Sequence, residues 1–209
     1  MTVPTTLYLV RHGESEANAA GVFAGQTDSP LTPRGREQAE AVAAALADLP
    51  IDRVVASDLS RTRDTAAAIA KTHGLTVETH PELREIDVGE AAGKRWDDGT
   101  LRPEGLNAEP AQDGFAGFVR WPGGESLEQV LARSLGCLDR LVRAHPGERI
   151  VVVGHGGVTR ILVSHFLGIL PRLERSPATN TNVTIVSFDG ARYTVEQLFG
   201  DAHVTEPSG

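Results

Sequence analysis

The stretch Leu7-Tyr8-Leu9-Val10-Arg11-His12-Gly13-Glu14 decides the fold and points to the chemistry. Its apolar part favours a buried strand, and the strand stops abruptly at a cation and an imidazole. A second apolar run, Ile150-Val151-Val152-Val153, is followed by Gly154-His155-Gly156-Gly157. Open α/β sheets bind ligands at the carboxyl ends of their strands. The two runs therefore predict one anion site that two strand ends share.

Strand and helix patterns alternate along the chain, which predicts an α/β fold. We expect a three-layer sandwich with a mostly parallel central sheet flanked by helices. The predicted strands are 7–10, 53–56, 75–79, 150–153, 183–188 and 193–198. Helices are predicted to begin at the Thr32-Pro33 pair, to run over 58–73, to begin at Ser126 with Gln129 in a capping box, and to run over 156–167.

The chain has 209 residues, enough for one substantial core. We therefore expect a single domain, 1–209, with a lid-like insertion at about 87–125, where the regular patterns disappear among Gly, Pro and acidic residues. Charged and aromatic side chains in this insertion are candidate specificity residues. They are Lys94, Arg95, Trp96, Phe115, Phe118, Arg120 and Trp121.

Bulk properties exclude several classes of protein. The formal net charge is −8, which argues against a nucleic-acid partner or an anionic membrane surface. No apolar run approaches the length of a membrane span, and the amino-terminal stretch lacks a signal peptide's long apolar segment. Cys137 is the only cysteine, so no internal disulfide can form. We expect a cytoplasmic protein.

Two further segments carry functional side chains near predicted strand ends. Arg61 lies at the start of the helix that follows the second strand, and Glu85 lies beside glycine in an irregular stretch. Each residue alone has an ordinary structural interpretation, and Arg63 is best explained as part of a solvated helix face. Together, two arginines, two histidines and a carboxylate are what phosphoryl transfer from a monoester needs: fixed cations, an imidazole nucleophile and an acid for the leaving group.

In these segments the chain resembles the histidine phosphatase superfamily, the phosphoglycerate mutase-like group. The family's Arg-His-Gly signature matches Arg11-His12-Gly13, and its Ser-x-Leu-x-Arg-x-x-x-Thr element matches residues 57–65. The acid segment matches Leu83-Arg84-Glu85 and the last motif matches Gly154-His155-Gly156. The four motifs occur in the family's order and span nearly the whole chain.

The resemblance implies a role for each matched residue. His12 is expected to be the nucleophile that becomes phosphohistidine, and Glu85 the general acid and later the base that activates water. Arg11, Arg61 and His155 are expected to clamp the phosphoryl oxygens. Asn18, Gln26 and the backbone of Gly25 and Gly156 are expected as further phosphate contacts. The scheme needs no metal and no cofactor, its partner is a small phosphomonoester, and the oligomeric state stays open, a homodimer included.

Three functions remain open at this point. The preferred one is a metal-independent phosphatase, because this chain has Val88 where family mutases carry a tyrosine, and Ala24 where they carry Ser or Thr. The second is a phosphoglycerate mutase primed by 2,3-bisphosphoglycerate. The third is a non-catalytic phosphate-binding module. A dinucleotide site is excluded because the third glycine of G-x-G-x-x-G is missing after Gly154, and there is no P-loop.

Overall fold

The computed structural model describes residues 3–97, 120–174, 176 and 178–200. The strands in this part of the chain are β1 Thr5–Arg11, β2 Arg53–Ala56, β3 Val77–Thr79, β4 Arg149–Gly154, β5 Val183–Phe188 and β6 Tyr193–Gly200. The α-helices are α1 Glu16–Ala20, α2 Pro33–Ala45, α3 Ser60–His73, α4 Leu127–Ala144 and α5 Gly156–Phe166. Two 3₁₀ turns, Pro81–Leu83 and Gly89–Ala91, lie between β3 and α4.

The six strands form one mixed sheet in the order β3-β2-β4-β1-β5-β6. The pairings from β3 through β1 are parallel, and β5 and β6 are added antiparallel. The expectation of a mostly parallel sheet is therefore confirmed. Because β1 and β4 are parallel neighbours at the centre, their carboxyl ends open at the same edge.

Alternation along the strands divides the core into two layers. In β1, Leu7 and Leu9 join a cluster that includes apolar residues of α4 and α5. Tyr8 and Val10 point to the opposite face and join apolar residues of α2 and α3. The central strands are thus buried on both faces, as a sheet covered by helices requires, and the three-layer arrangement is confirmed.

The helix ends follow local sequence signals. The Thr32 hydroxyl accepts a hydrogen bond from Gly35 N, with Pro33 at the first helical position. Ser126 and Gln129 form the expected capping box at the start of α4. Gly74 ends α3 in the left-handed conformation, with φ of 66°. These ends fix where the strands between the helices can begin.

Several element boundaries differ from the sequence expectation by one or two residues. The strand expected at 75–79 is confined to Val77–Thr79, and the helix expected from residue 58 begins at Ser60. The short helix α1 was not expected, and it forms because Ser15 and Asn18 make a capping box. Of the expected insertion at 87–125, residues 98–119 lie outside the described residues.

Within the part of the chain described, no helix combines the length and the apolar character that crossing a membrane requires. Cys137 is buried in the α4 side of the core. Burial raises the pKa of its thiol to about 11, so the residue behaves as a small core side chain.

Candidate active site

The register of β1 and β4 brings two histidines together. Arg11 is paired with Gly154, so His12 and His155 each follow the last residue of a neighbouring parallel strand. His12 N donates to Gly154 O at 3.1 Å. The two imidazole rings meet edge to face, with centroids 5.2 Å apart. The register therefore brings both histidines to the carboxyl edge of the sheet, where the sequence predicts one shared anion site.

The ring of His12 is fixed in one orientation and one tautomer. Nδ1 lies 2.6 Å from Gly13 O, and because a carbonyl only accepts, Nδ1 carries the proton. Nε2 is then the basic nitrogen. His12 is only 3% exposed. Burial, followed by the charges of Arg61 and Arg11, lowers its pKa well below the ordinary histidine value, so the ring is neutral near pH 7.

The main chain around His12 is held by close contacts. Gly13 N donates to Thr65 Oγ1 at 3.1 Å, and Asn180 Nδ2 donates to His12 O at 2.9 Å. A Cβ at Gly13 would lie 2.3 Å from Gly35 O, so glycine is required for the turn to pack against the start of α2. The imidazole is thus anchored on several sides.

Two arginines supply positive charge beside His12. Arg61, in the first turn of α3, is 1% exposed and donates to Thr27 O at 3.0 Å and to Gly25 O at 2.8 Å. Arg11 donates through Nη1 to Ala178 O. Burial lowers the pKa of both guanidinium groups, while the charge of Glu85 acts to raise it. Backbone carbonyls therefore orient both cations without neutralising them.

Several buried polar atoms here have no hydrogen bond among the described residues. They are Arg11 Nε and both ring nitrogens of His155. Burial, then the charges of Arg61 and of His12, lowers the pKa of His155. Unsatisfied buried polar groups are costly. Their concentration at the carboxyl edge of the sheet makes this edge a candidate anion site.

Asn18 and two glycines complete the polar end of the pocket. Asn18 Oδ1 accepts from Ser15 N at 3.2 Å and from Asn180 Nδ2 at 3.3 Å, which leaves the Asn18 amide NH₂ to donate. Gly25 and Gly156 also line the pocket. Gly25 has φ of 52°, a conformation that glycine adopts without strain.

Glu85 lies at the amino-terminal end of α5. Its Oε1 accepts from Ile86 N at 2.9 Å, and its Oε2 accepts from Gly157 N at 3.2 Å. A Cβ at Gly157 would lie 2.6 Å from Glu85 Oε1, so only glycine lets the carboxylate approach the helix end. The carboxylate lines the same pocket as His12. This arrangement places the Glu85 carboxylate and the His12 imidazole in one pocket.

The pocket has a volume of about 440 Å³. Its lining also includes apolar and aromatic side chains, which are Val22, Phe23, Ala24, Ile86, Val88, Trp96, Trp121 and Ala178. Of the candidate specificity residues, Trp96 and Trp121 therefore line the pocket, whereas Lys94, Arg95 and Arg120 are exposed and do not. Phe115 and Phe118 lie outside the described residues.

Arg160 lines the pocket and was missed by the sequence reasoning. It donates to Glu174 O and Ser176 O, each at 3.0 Å. Its spacing from Gly156 and Gly157, four and three residues, places it on the same face of α5. That spacing is the sequence signal from which the position of Arg160 beside the two glycines could have been predicted. It adds a third arginine to the pocket wall.

Gln26 has a different position from the other predicted phosphate contacts. It is not among the residues lining the pocket. Its Nε2 donates to Glu85 O at 3.2 Å and to Glu125 Oε2 at 3.4 Å. In this structure Gln26 therefore contacts the backbone that carries Glu85.

One group among the described residues has donor atoms close enough together to hold a metal ion. Atoms of His80, Glu82 and Cys137 lie within 4.8 Å of one another. None of the three lines the pocket, and Glu82 is already paired with Arg140 at 2.6 Å. The group is therefore separate from the chemistry at His12.

Comparisons with known proteins agree with this geometry. The chain is 39% identical over 169 residues to a "Probable phosphoglycerate mutase GpmB" of Cronobacter sakazakii, covering 81% of this chain and 78% of that protein. It is 34% identical over 211 residues to a "Metal-independent phosphoserine phosphatase" of Arabidopsis thaliana, covering 96% and 84%. Both a mutase name and a phosphatase name therefore occur among its relatives.

Solved structures show the same fold. A mycobacterial glucosyl-3-phosphoglycerate phosphatase complexed with VO3 superimposes with a TM-score of 0.79 at 27% identity, covering 94% of this chain and 100% of that one. A phosphoglycerate mutase from Bacillus anthracis gives 0.79 at 25% identity, covering 94% and 93%. The sequence profile of the histidine phosphatase superfamily, branch 1, matches residues 7–200. The chain therefore belongs to the histidine phosphatase superfamily, branch 1.

Proposed function

We propose that the protein is a metal-independent phosphomonoesterase that hydrolyses a small phosphorylated metabolite through a phosphohistidine on His12. The observation that carries this proposal is the Nδ1–H contact of His12 with Gly13 O at 2.6 Å. It makes Nε2 the nucleophilic nitrogen of a buried, neutral imidazole, beside two arginines and opposite a carboxylate.

In the first step, His12 Nε2 attacks phosphorus and the bond from phosphorus to the ester oxygen breaks. Glu85, protonated, gives its proton to the departing alkoxide. Arg11, Arg61 and the unpaired nitrogens of His155 are proposed to hold the phosphoryl oxygens as their charge changes. The products of this step are the free alcohol and phosphohistidine.

In the second step, the Glu85 carboxylate takes a proton from water as the water oxygen attacks phosphorus. The phosphorus–nitrogen bond breaks, phosphate leaves, and His12 returns to its neutral form. The backbone N–H groups at the start of α5 and the amide of Asn18 are proposed as additional donors to the phosphate. The positive charge in this scheme comes entirely from the protein's own side chains.

The pocket wall supports a phosphatase. A mutase must hold a doubly phosphorylated intermediate until the phosphoryl group returns to it, which needs cations or polar donors at both ends of the ligand. Here the lining includes several apolar and aromatic side chains, with Val88 and Trp121 among them. Such a wall retains a second anionic group poorly, which favours transfer to water.

A phosphoglycerate mutase is the second candidate, and Arg160 is the observation that favours it. The guanidinium group lines the pocket, so it could hold a carboxylate or a second phosphate. Relatives named as probable phosphoglycerate mutases add to this. Conversion of 3- to 2-phosphoglycerate, primed by 2,3-bisphosphoglycerate, is the assay that would support it over the phosphatase.

The proposal is tested by phosphate release from a panel of phosphomonoesters, 3-phosphoglycerate included, in the presence of EDTA. We expect release by the wild type, loss of it in His12→Ala, and retention in His165→Gln, which removes an exposed histidine. Rapid denaturation during turnover should trap an acid-labile phosphate on the peptide containing His12. Full activity of His12→Ala would refute the assignment, and release that EDTA abolishes would refute metal independence.

The cellular setting belongs to the same proposal. A net charge of −8 favours a small-molecule substrate over a nucleic-acid or membrane partner. The single buried cysteine suits a reducing, cytoplasmic compartment.

A further inference from the structure

Arg133 of α4 uses its whole guanidinium group in one set of contacts. Nε and Nη2 donate to Glu125 Oε1 and Oε2 at 2.7 and 2.8 Å. Nη1 donates to Glu82 O at 2.7 Å and to Arg84 O at 2.6 Å, and Nη2 also donates to Glu85 O at 3.0 Å. An arginine has five N–H donors, and all five are used.

Most of these acceptors belong to the segment that carries Glu85. Three of them are backbone carbonyls, those of Glu82, Arg84 and Glu85 itself. The fourth group, the Glu125 carboxylate, accepts from Asp87 N at 2.9 Å and from Gln26 Nε2 at 3.4 Å. The backbone is therefore fixed on both sides of Glu85.

The pair of Arg133 and Glu125 is largely buried, with side chains 18% and 19% exposed. Burial acts to raise the pKa of the Glu125 carboxyl, but hydrogen bonds from Arg133 and from Asp87 N outweigh it and lower that pKa. Charges removed from water stabilise a structure only when their geometry is fully satisfied. Here every donor is satisfied, so the pair forms a rigid support behind the pocket.

We propose that Arg133 is a positioning residue, which holds the backbone of Glu85 so that its carboxyl reaches the leaving-group oxygen. Arg133 does not line the pocket, so it acts through Glu85 and not on the substrate. The inference rests on the proposed function, because it gives Arg133 a role in the proton transfer assigned to Glu85.

Two substitutions separate geometry from charge. Arg133→Lys keeps the positive charge but offers three donors from one nitrogen, so it cannot reach both Glu125 and the three carbonyls. Glu125→Gln keeps the shape of the carboxylate and removes its charge. Arg140→Gln is the matched control, because Arg140 lies two turns along α4 and pairs with the side chain of Glu82 in an exposed position.

The readout is the dependence of kcat/KM on the leaving group. Phenyl phosphate and p-nitrophenyl phosphate have similar shapes, but phenolate is the poorer leaving group and depends more on a proton from the enzyme. A displaced general acid therefore lowers kcat/KM more for phenyl phosphate. A variant that merely unfolds in part would lower both values by the same factor.

For Arg133→Gln we expect kcat/KM to fall about tenfold more for phenyl phosphate than for p-nitrophenyl phosphate, within the usual range of general acid catalysis. Arg133→Lys and Glu125→Gln should show the same pattern with smaller losses, and they carry the test where Arg133→Gln does not fold. Glu85→Gln should show it most strongly. Arg140→Gln should match the wild type on both esters.

Equal losses on the two esters in all three variants, or wild-type kinetics in Arg133→Lys and Arg133→Gln, would overturn the positioning role. Release that still depends on His12 would leave the proposed function intact in that case. If the wild type gives no His12-dependent release from these two esters or from any phosphomonoester of the panel, the proposed function is overturned and the role of Arg133 with it.

Discussion

At the scale of single residues, two histidines stand at neighbouring strand ends, and their surroundings give them different chemistry. His12 has one ring nitrogen fixed by Gly13 O, so its other nitrogen is aimed and basic. Both nitrogens of His155 are buried without a hydrogen bond among the described residues. The hydrogen bond thus favours His12 as the nucleophile, and it leaves His155 able to contact phosphate.

The lowered pKa of His12 predicts how activity depends on pH. Burial and the charges of Arg61 and Arg11 disfavour the protonated ring, so the proposed nucleophile stays neutral below about pH 6.5, the ordinary histidine value. Activity should therefore not decline between about pH 7 and pH 6, and the optimum should lie on the acidic side of neutral. NMR of ¹⁵N-labelled imidazoles should show His12 as the neutral Nδ1–H tautomer in this range.

Titration of His12 at or above about pH 6.5 would contradict this prediction. So would a flat or strongly alkaline profile of kcat/KM, measured with correction for the ionisation of the substrate. Arg61→Gln offers a check on the cause, because removing a nearby positive charge should raise the pKa of His12 even where activity is lost.

At the scale of secondary structure, the site depends on how closely the start of α5 approaches the Glu85 segment. Gly157 N donates to Glu85 Oε2, and a Cβ on residue 157 would collide with Glu85 Oε1 and with Ile86 Cδ1, at 2.6 and 2.7 Å. The helix and the carboxylate can therefore meet only at a residue without a side chain.

Gly157→Ala should lower kcat/KM by about a hundredfold, because displacing a catalytic group by about 1 Å is enough for a loss of that size. Thermal unfolding should show that the fold persists, since alanine is a better helix former than glycine. Gly136→Ala in α4 is the control, because its Cβ would meet only Arg140 Nη1, at 3.8 Å. Wild-type kcat/KM in Gly157→Ala would show that the close approach is not needed.

At the scale of the whole molecule, building the pocket at the strand ends places two histidines in the interior. The pKa of His12 and that of His155 are lowered by burial, and by the charge of Arg61. The unfolded chain therefore takes up more protons than the folded one as pH falls below about 6.5. The free energy of unfolding should decrease below that pH until the folded-state pKa values are passed.

Each of the two histidines can contribute up to about 1.4 kcal/mol per pH unit to this decrease. Urea unfolding between about pH 7 and pH 5 measures it, above the range near pH 4 in which Asp and Glu titrate. His155→Asn should reduce the slope, because it removes one of the two buried histidines of the site. An unchanged slope in His155→Asn would show that His155 does not contribute.

Much of the fold followed from local patterns. Each of these patterns involves only residues close together in the chain. They are the apolar runs of β1 and β4, the cap at Thr32 and the capping box at Ser126. Such patterns depend on neighbours along the chain and not on distant contacts, so they can be recognised in the sequence. The short helix α1 was missed because its five residues contain too little periodicity to detect.

The partners of several side chains could not be predicted from the sequence. The periodicity of α4 and α5 showed that Arg133 and Arg160 are helical, but not that one reaches behind Glu85 and the other lines the pocket. The hydrogen bond from Gln26 to the backbone of Glu85 was likewise not predicted. These contacts join residues far apart in the chain, so they depend on how the layers pack.

The sequence by itself determined the order of strands and helices, the family, and the residue types that phosphoryl transfer needs, because strand periodicity, caps and motifs are local properties of the chain. The tertiary structure alone decided which nitrogen of His12 is basic, how Glu85 is held between Gly157 and Arg133, and which polar and apolar side chains line the pocket. The physical reason is that tautomers, pKa values and close approaches are set by neighbours in space, and the parallel register of β1 and β4 chooses those neighbours.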